Sequence, residues 1–452
     1  MTDDMAVEMN GGEAVTPWDE LEWGPWPVTA VLSQTPPDPS LLGGDEGLPV
    51  TLTVIRGEGI LQRPVFDPSL MSYSKAMRAG EPQFASPELA ARWHEARCQA
   101  LDDVIAAIAG SRWAGNLVLR GSILLKAWYG DAAREPGDLD FVVVPQTWLM
   151  TEPRTGRMLD DIAQASAAAA AEHGVVRIDA ENAMRDEIWT YSRVPGMRLV
   201  LPWHAEGLPS GTVQLDFVFN ERLPEEPEFT SVPARATDET GQRILAATPA
   251  LSLAWKLLWL LSDRYPQGKD LYDAVLLAEA APLPLGLLMR TLVAAEPEWA
   301  GRRFTPDALD ELDIDEDELR KDYPEIADAV EPLRQRLIAA LAPTFAESAA
   351  LPAADGYTWR LGHLAPRIAQ ARELLQSEDV DAVLTYVSEE SLGMTECIVV
   401  FREALGAERC SLEDAAATLL EFRLRGMSSE SYYRSRFTTF IQRAVTELGE
   451  NV

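Results

Sequence analysis

A short apolar strand that begins with two acids constrains this chain more than any other feature. The segment DLDFVVV at residues 138–144 has the composition of a buried β-strand, with Asp138 and Asp140 at its start. Side chains alternate faces along a strand, so both carboxylates point the same way while Leu139 and Phe141 point into the core. Two carboxylates this close repel each other unless a divalent cation lies between them and a substrate. The segment therefore predicts a sheet with a cation site at its edge.

Two further segments carry groups that suit the same site. Asp216 lies in the apolar strand VQLDFVF, and its carboxylate can join the other two if the two strands are neighbours. Upstream, Gly121 and Ser122 form a turn from a short strand into a helix. Glycine lets the backbone approach a ligand closely, and the N–H groups at a helix N-terminus bind anions such as phosphate.

Each of these signals also has an ordinary explanation. An Asp often caps a strand, Gly-Ser marks many turns, and Asp216 could simply pair with an arginine at the edge of the core. Together, in this order and on these elements, they favour Mg²⁺-assisted transfer from a nucleoside triphosphate.

A lysine in an apolar helix gives a second signal. Residues 251–261 are apolar on nearly every helical face, which predicts burial, and Lys256 is the charged residue among them. A buried lysine needs an anion partner or loses its proton, unless its ammonium extends to the surface. Charged residues follow at the junction with the next helix, where surface ion pairs are the ordinary explanation, among them Arg264, Lys269, Asp270 and Asp273.

The N-terminal part of the sequence predicts an irregular arm. Residues 1–85 mix Pro, Gly and acids with Trp18, Trp23 and Trp26, which we expect to dock the arm. Within it, VTLTVI at 50–55 alternates like a strand.

The remaining sequence predicts an α/β domain followed by helices. Residues 86–247 form the α/β domain, with a polar linker at 221–247. Residues 248–300 are expected to be helical and to complete the active site, and residues 301–452 to form a helical C-terminal region. Within that region, the acidic segment 309–325 indicates a solvated helix face or loop.

Composition limits where the chain works and what it binds. Its formal net charge of −33 repels nucleic acid and anionic membrane from most of the surface. The three cysteines lie far apart without a metal-binding spacing, which fits a reducing cytoplasm. The longest apolar run, at 253–261, is too short to cross a bilayer, and no signal-peptide pattern opens the sequence. We therefore expect a cytoplasmic protein with no membrane partner.

The two blocks together resemble the AbiEii/AbiGii-type nucleotidyltransferases. These are the toxin components of type IV toxin–antitoxin systems and belong to the polymerase-β-like superfamily. The block LVLRGSILLKAWYGDAAREPGDLDF matches the family pattern at Gly121, Ser122, Arg134, Asp138 and Asp140. The block AWKLLWLLSDRYPQGKDLYD matches at Lys256, Arg264, Lys269, Asp270, Tyr272 and Asp273. One departure is Pro136, which replaces the usual Ser or Thr before the D-x-D motif.

The resemblance implies a polymerase-β-like α/β fold with a mixed sheet and a role for each matched residue. Gly121 and Ser122 would bind phosphate, and Asp138 and Asp140 would bind Mg²⁺, with Asp216 as a third catalytic carboxylate. In the second block, Lys256 would contact the triphosphate. Four other matched residues would bind substrate by neutralising or orienting the triphosphate or the acceptor: Arg134, Arg264, Asp270 and Asp273.

The implied reaction moves a nucleoside monophosphate from an NTP to a hydroxyl group and releases pyrophosphate. The resemblance favours tRNA or another RNA 3′ end as the acceptor and implies an antitoxin partner. Because the chain is strongly acidic, a protein hydroxyl or a small molecule stays open as the acceptor. Two rival interpretations are a non-catalytic regulatory protein that keeps the fold and a kinase-like phosphotransferase.

Overall fold

The structure is a computed structural model that describes most of the chain. It covers residues 15–18, 21, 24–44, 47–190, 194–236, 241–327, 329–351, 356–389, 392–425 and 430–449. The chain divides into two units, Met1–Ala281 with Leu312–Leu337 and Pro282–Glu311 with Ile338–Val452.

Short strands and buried tryptophans organise the N-terminal segment. Its strands are β1 (Val15–Thr16), β2 (Val31–Leu32), β3 (Ile60–Leu61), β4 (Pro64–Phe66), β5 (Met77–Ala79) and β6 (Gln83–Phe84). They pair as β1 with β2, β3 with β6 and β4 with β5. Trp18 and Trp26 are buried in a cluster with Leu32, Leu48 and Met77. Trp23, the third tryptophan predicted to dock this segment, lies outside the described residues.

The strand predicted at 50–55 is wrong. These residues form a turn and irregular chain, because side chains bind the backbone donors that a strand partner would otherwise use. The Asp186 carboxylate accepts from the N–H groups of Val50 at 3.2 Å and Thr51 at 2.8 Å. The Gln62 side-chain oxygen accepts from the N–H of Ile55 at 2.7 Å.

The next part of the chain builds a mixed sheet between helices. In chain order its elements are α1 (Pro87–Ala109), β7 (Leu117–Arg120), α2 (Ser122–Tyr129), β8 (Asp138–Val143), α3 (Pro153–His173), β9 (Arg177–Ile178), β10 (Met184–Thr190), β11 (Val194–His204), β12 (Gly211–Val218), β13 (Glu228–Val232) and β14 (Gln242–Ala246). The strand order is β10-β11-β12-β8-β7-β14-β13, and β9 pairs with β11. The β8–β12 and β7–β14 pairs are parallel, and the other pairs are antiparallel. The expected α/β fold with a mixed sheet is confirmed.

Alternation along β8 and β12 places the apolar residues inside. Leu139, Phe141, Leu215 and Phe217 are fully buried, and the two phenyl rings stack with centroids 5.5 Å apart. Each such side chain contributes about 1.5–3 kcal/mol through burial. The intervening residues face the other side of the sheet, which carries the acids.

The linker predicted at 221–247 is partly wrong. It contains β13 and β14, and β14 joins the sheet beside β7, with Ala246 paired to Leu119. Ile244 and Ala246 are buried, while most of their neighbours are polar and partly or fully exposed. The polar composition of the exposed positions therefore concealed a strand pattern of period two.

The sequence after residue 248 is mostly helical, as predicted. The helices are α4 (Pro249–Ser262), α5 (Gly268–Ala280), α6 (Leu285–Ala295), α7 (Asp307–Asp310), α8 (Glu316–Asp322), α9 (Pro324–Ala327), α10 (Val330–Ala340), α11 (Ala342–Ala350), α12 (Gly356–Ser377), α13 (Val380–Glu389), α14 (Met394–Leu405), α15 (Leu412–Leu424) and α16 (Glu430–Gly449). In the acidic segment 309–325 most acids are exposed, but Asp322 pairs with Arg78 of the N-terminal segment.

Candidate active site

Four charged side chains cross the middle of the sheet on adjacent strands. Strand register places Arg120 beside Asp140, Asp140 beside Asp216, and Asp216 beside Arg198. We call these four residues the charged row. Asp138, two residues before Asp140, lies on the same face and beside Gln214. The two acidic strands are therefore neighbours, which was the condition for Asp216 to approach the D-x-D motif.

Carboxylates hold the arginine at each end of the charged row. Arg120 donates to Glu221 at 2.6 Å. Arg198 donates to both carboxylate oxygens of Asp216, at 2.9 and 2.8 Å, and its third nitrogen donates to Asp67 at 2.8 Å. Arg198 thus forms a bidentate ion pair with Asp216. Among the described residues, no group of three or more His, Cys, Asp or Glu side chains could hold a metal ion by itself.

Asp138 and Asp140 differ from the other acids at this site. Within the described part of the chain, neither carboxylate takes part in a hydrogen bond or an ion pair, although both are partly buried. Burial and then the charge of Asp138 raise the pKa of Asp140 to about 7. Burial also acts to raise the pKa of Asp138, but Lys269 and Arg134 outweigh it and hold that pKa below its usual value. The two carboxylates therefore form an anionic pair with no direct partner.

The Gly-Ser turn lies against the D-x-D motif. Gly121 has a φ of +85°, and a Cβ there would lie 2.5 Å from an oxygen of Asp140. Only glycine fits this backbone conformation and this close approach. Ser122 begins α2, and its hydroxyl is buried with no hydrogen-bond partner among the described residues. An unsatisfied buried hydroxyl at a helix N-terminus suits an anionic ligand.

The lysine is buried, as predicted, but its anionic partners are Asp270 and Asp273, for which surface ion pairs were the ordinary explanation. Lys256 is 3% exposed, and its ammonium donates to Asp270 at 2.7 Å and lies 2.8 Å from Asp273. Arg134 donates two hydrogen bonds to Asp273, at 3.0 and 2.9 Å. Burial opposes the charge on Asp273, but Arg134 and Lys256 lower its pKa to about 2. The structure thus joins Arg134 of the first sequence block to Lys256, Asp270 and Asp273 of the second.

Lys269 is a cation at this site that pairs with no acid among the described residues. No hydrogen bond or ion pair joins its ammonium to any residue that the structure describes, and its side chain is partly buried. It lines a cavity of about 150 Å³ together with the D-x-D carboxylates, Ser69 and Trp259. After every direct ion pair at the site is formed, Asp138, Asp140 and Lys269 therefore stay unpaired.

Sequence reasoning missed Arg120 and Arg198 as members of the site. Each is a single charge in an apolar strand, in LVLR and MRLVLPW, which is the same signal that identified Asp216. It also missed Asp67, whose segment has no apolar pattern. Arg264 was expected to bind substrate near the carboxylates, but it lines a neighbouring cavity beside Tyr265.

A mixed sheet that carries a D-x-D strand beside a Gly-Ser helix N-terminus, followed by a helical lysine, fits the nucleotidyltransferase class that the sequence resembles. The family model described as the nucleotidyl transferase AbiEii toxin of type IV toxin–antitoxin systems matches residues 103–351. The match spans more than half of the chain, and the chain belongs to this family. The predicted resemblance is confirmed.

Comparisons with individual proteins add little to the family assignment. The nucleotidyltransferase toxin MenT4 from Mycobacterium tuberculosis H37Rv is 17% identical, and the match covers 60% of this chain and 89% of that chain. Its TM-score of 0.40 is too low to support an argument. Comparison with curated proteins finds no match.

Family membership makes the chain a nucleotidyltransferase and implies a nucleotide substrate and an antitoxin partner. It favours the enzyme over the non-catalytic regulatory alternative. Among the described residues, no helix is long and apolar enough to cross a membrane.

Proposed function

We propose that this protein transfers a nucleoside monophosphate from an NTP to a hydroxyl group with the help of Mg²⁺ and releases pyrophosphate. One observation carries the proposal. Asp138 and Asp140 are partly buried and lack direct partners in the described chain, and Asp140 lies against Gly121, which directly precedes the unsatisfied hydroxyl of Ser122. Unpaired acids cost folding free energy, so their retention supports a role with a ligand.

The donor set fits Mg²⁺. Mg²⁺ prefers oxygen ligands and is commonly bound by one or two carboxylates together with substrate phosphates and water. Asp138 and Asp140 provide two such carboxylates, and three protein ligands are not required. A bound Mg²⁺ would polarise the α-phosphate and offset the charge of the triphosphate.

The protein groups have separable roles in the proposed reaction. Ser122 and the N–H groups of α2 bind phosphate oxygens, for which Gly121 leaves the space. Lys269 neutralises phosphate charge directly, because its ammonium has no counterion in the described chain. Lys256 is held by Asp270 and Asp273, so it approaches the triphosphate as a positioned donor.

Proton removal from the acceptor requires a carboxylate on the acceptor side. We assign this role to the carboxylates of the D-x-D motif, from which the proton passes to solvent. The acceptor hydroxyl then attacks the α-phosphorus, the bond to the β-phosphate oxygen breaks, and pyrophosphate leaves. Asp216 keeps Arg198 in place beside the acids.

For the acceptor we propose an RNA 3′ end, with tRNA first. The family resemblance supports this choice, and Lys269, which no described residue pairs with, gives the carboxylate cavity a cation for the RNA backbone within an acidic protein. A protein hydroxyl is the second candidate.

The test supplies each α-³²P-labelled NTP with Mg²⁺ and either total tRNA or lysate protein. We expect the wild-type protein to label RNA, and Asp138→Ala and Asp140→Ala to label nothing. Label from a γ-³²P-labelled NTP would instead indicate a phosphotransferase. Absence of α-label on both acceptor pools would overturn the proposal.

A further inference from the structure

A second cavity adjoins the carboxylate cavity. It has a volume of about 400 Å³, larger than the cavity that contains Asp138 and Asp140. Its walls come from the N-terminal segment, from the α4–α5 junction and from residues 313–323, all within the first unit. Nothing in the proposed chemistry uses this space.

Aromatic and apolar side chains form one wall of this cavity. Phe66 and Tyr265 meet edge to face, with ring centroids 4.9 Å apart, and Tyr265 is 38% exposed. Exposed aromatic residues beside a cavity are unusual, since such rings are normally buried. Pro25, Pro266 and Leu319 extend the apolar surface. A flat, apolar molecule matches this wall.

Charged groups also line the cavity, but three of its four carboxylates are engaged: Asp315 caps α8, Glu318 pairs with Lys321, and Asp322 pairs with Arg78. The Arg264 guanidinium lies 5.5 Å from the centre of the Tyr265 ring. Asp313 is exposed, and its carboxylate has no hydrogen-bond or ion-pair partner among the described residues. A cavity that combines an aromatic wall with convergent polar groups is typical of a small-molecule site, and carboxylates accept from ring N–H and amino groups.

Lys269 connects the two cavities. Its side chain lines both, and it exerts the strongest cationic influence on the pKa of Asp138. Phe66 and Gln267 also line both. A molecule with phosphates at the carboxylates therefore passes Lys269 as it reaches the aromatic wall.

We infer that the cavity between Phe66 and Tyr265 binds the nucleobase of the NTP. The inference rests on the proposed function, which places the triphosphate at Ser122, Lys269 and the D-x-D motif. Phe66 lies outside the family-matched residues 103–351, so part of the base site comes from a segment that is not shared with the family model.

The experiment compares a nucleotide with its phosphates alone. Titration calorimetry without an acceptor would measure the binding of each NTP and of inorganic tripolyphosphate, both with Mg²⁺. In the wild type we expect the preferred NTP to bind at least tenfold more tightly than tripolyphosphate, because stacking on an aromatic side chain contributes that much. Tyr265→Ala should remove most of this advantage and leave tripolyphosphate binding unchanged. Tyr265→Phe should keep it.

Phe229→Ala is the matched control, because Phe229 is 58% exposed on β13 and lines neither cavity, while Trp189→Ala tests the competing surface. Trp189 is 39% exposed and lines the carboxylate cavity, so it offers an alternative surface for the base. We expect both variants to bind NTP like the wild type. Loss of the NTP advantage in either variant, or its survival in Tyr265→Ala, would overturn the base site while the proposed function stands. If neither NTP nor tripolyphosphate binds the wild type, the proposed function itself fails.

Discussion

The Asp140 carboxyl lowers the free energy of unfolding at neutral pH, because its place in the sheet opposes its ionisation. Its pKa of about 7 means that the folded protein resists ionising a carboxyl that ionises near pH 3.8 when exposed. Between these two values the folded state holds a proton that the unfolded state has lost, so stability falls as pH rises. The stability that the protonated Asp140 carboxyl provides is fully present below pH 3.8 and is lost as the pH rises through 7.

Replacing Asp140 with Asn should therefore stabilise the protein while abolishing activity. At pH 8 without Mg²⁺ we expect the free energy of unfolding of Asp140→Asn to exceed that of the wild type by roughly 1–4 kcal/mol. The substitution removes a carboxylate whose ionisation the folded state opposes. The gain should shrink as pH falls and disappear below pH 4. Thermal unfolding of both proteins from pH 4 to pH 8 measures it. A difference that does not vary with pH would show that burial of the charge is not its cause.

Ser122 should affect activity without affecting stability. Its hydroxyl makes no hydrogen bond within the described chain, so Ser122→Ala removes no native interaction, and we expect a change in unfolding free energy within about 0.5 kcal/mol. Loss of a phosphate-binding donor should reduce turnover by about 10- to 1000-fold. Ser252→Ala is the control, because Ser252 is also buried and lacks a described hydrogen-bond partner, yet lies outside the site cavities. Equal activity in the two variants would exclude Ser122 from phosphate binding.

At the scale of elements, the sequence predicted those parts whose pattern is local. The apolar helix α4, the capped helix α1 and the strands β8 and β12 follow from periodicity and from cap residues such as Ser86. The cost of burying a charge predicted an anion partner for Lys256, but not that Asp270 would be that partner.

What the sequence did not predict depends on contacts distant along the chain. The segment at 50–55 has a strand pattern, but Asp186 binds its backbone across 135 residues. In the same way, Asp67 is recognisable as a site residue only once Arg198 is known to lie 2.8 Å away. Strand β14 was missed because its polar residues face away from the core.

The contact between α4 and α5 should depend on Lys256. Lys256→Met leaves Asp270 buried without another described ion-pair partner, and we expect a loss of about 3–5 kcal/mol in unfolding free energy. Asp273 keeps Arg134, so the double variant Lys256→Met/Asp270→Asn should recover much of the loss. Chemical denaturation measures both.

The control for this change is Lys126→Met. Lys126 pairs with Glu135, which is 59% exposed, so this change should cost at most about 1 kcal/mol. If Lys256→Met costs no more than the control, the buried pair does not hold the two helices together.

At the scale of the whole molecule, a long-range electrostatic repulsion and a short-range attraction act on the same polyanion. The net charge of −33 repels any polyanion at long range. Close to the D-x-D motif, Lys269 attracts phosphate. Salt screens the long-range repulsion before it screens the short-range attraction, because the Debye length falls from about 30 Å at 0.01 M to about 8 Å at 0.15 M.

We therefore expect the association rate with a fluorescently labelled tRNA to rise severalfold as KCl increases from 10 to 150 mM. Most nucleic-acid-binding proteins show the opposite trend, since their long-range field is attractive and salt weakens it. Stopped-flow association measured in both KCl and potassium glutamate separates screening from competition by chloride. A rate that falls steadily in both salts would mean that the short-range attraction dominates at every distance, and that the acidic surface does not oppose the approach of RNA.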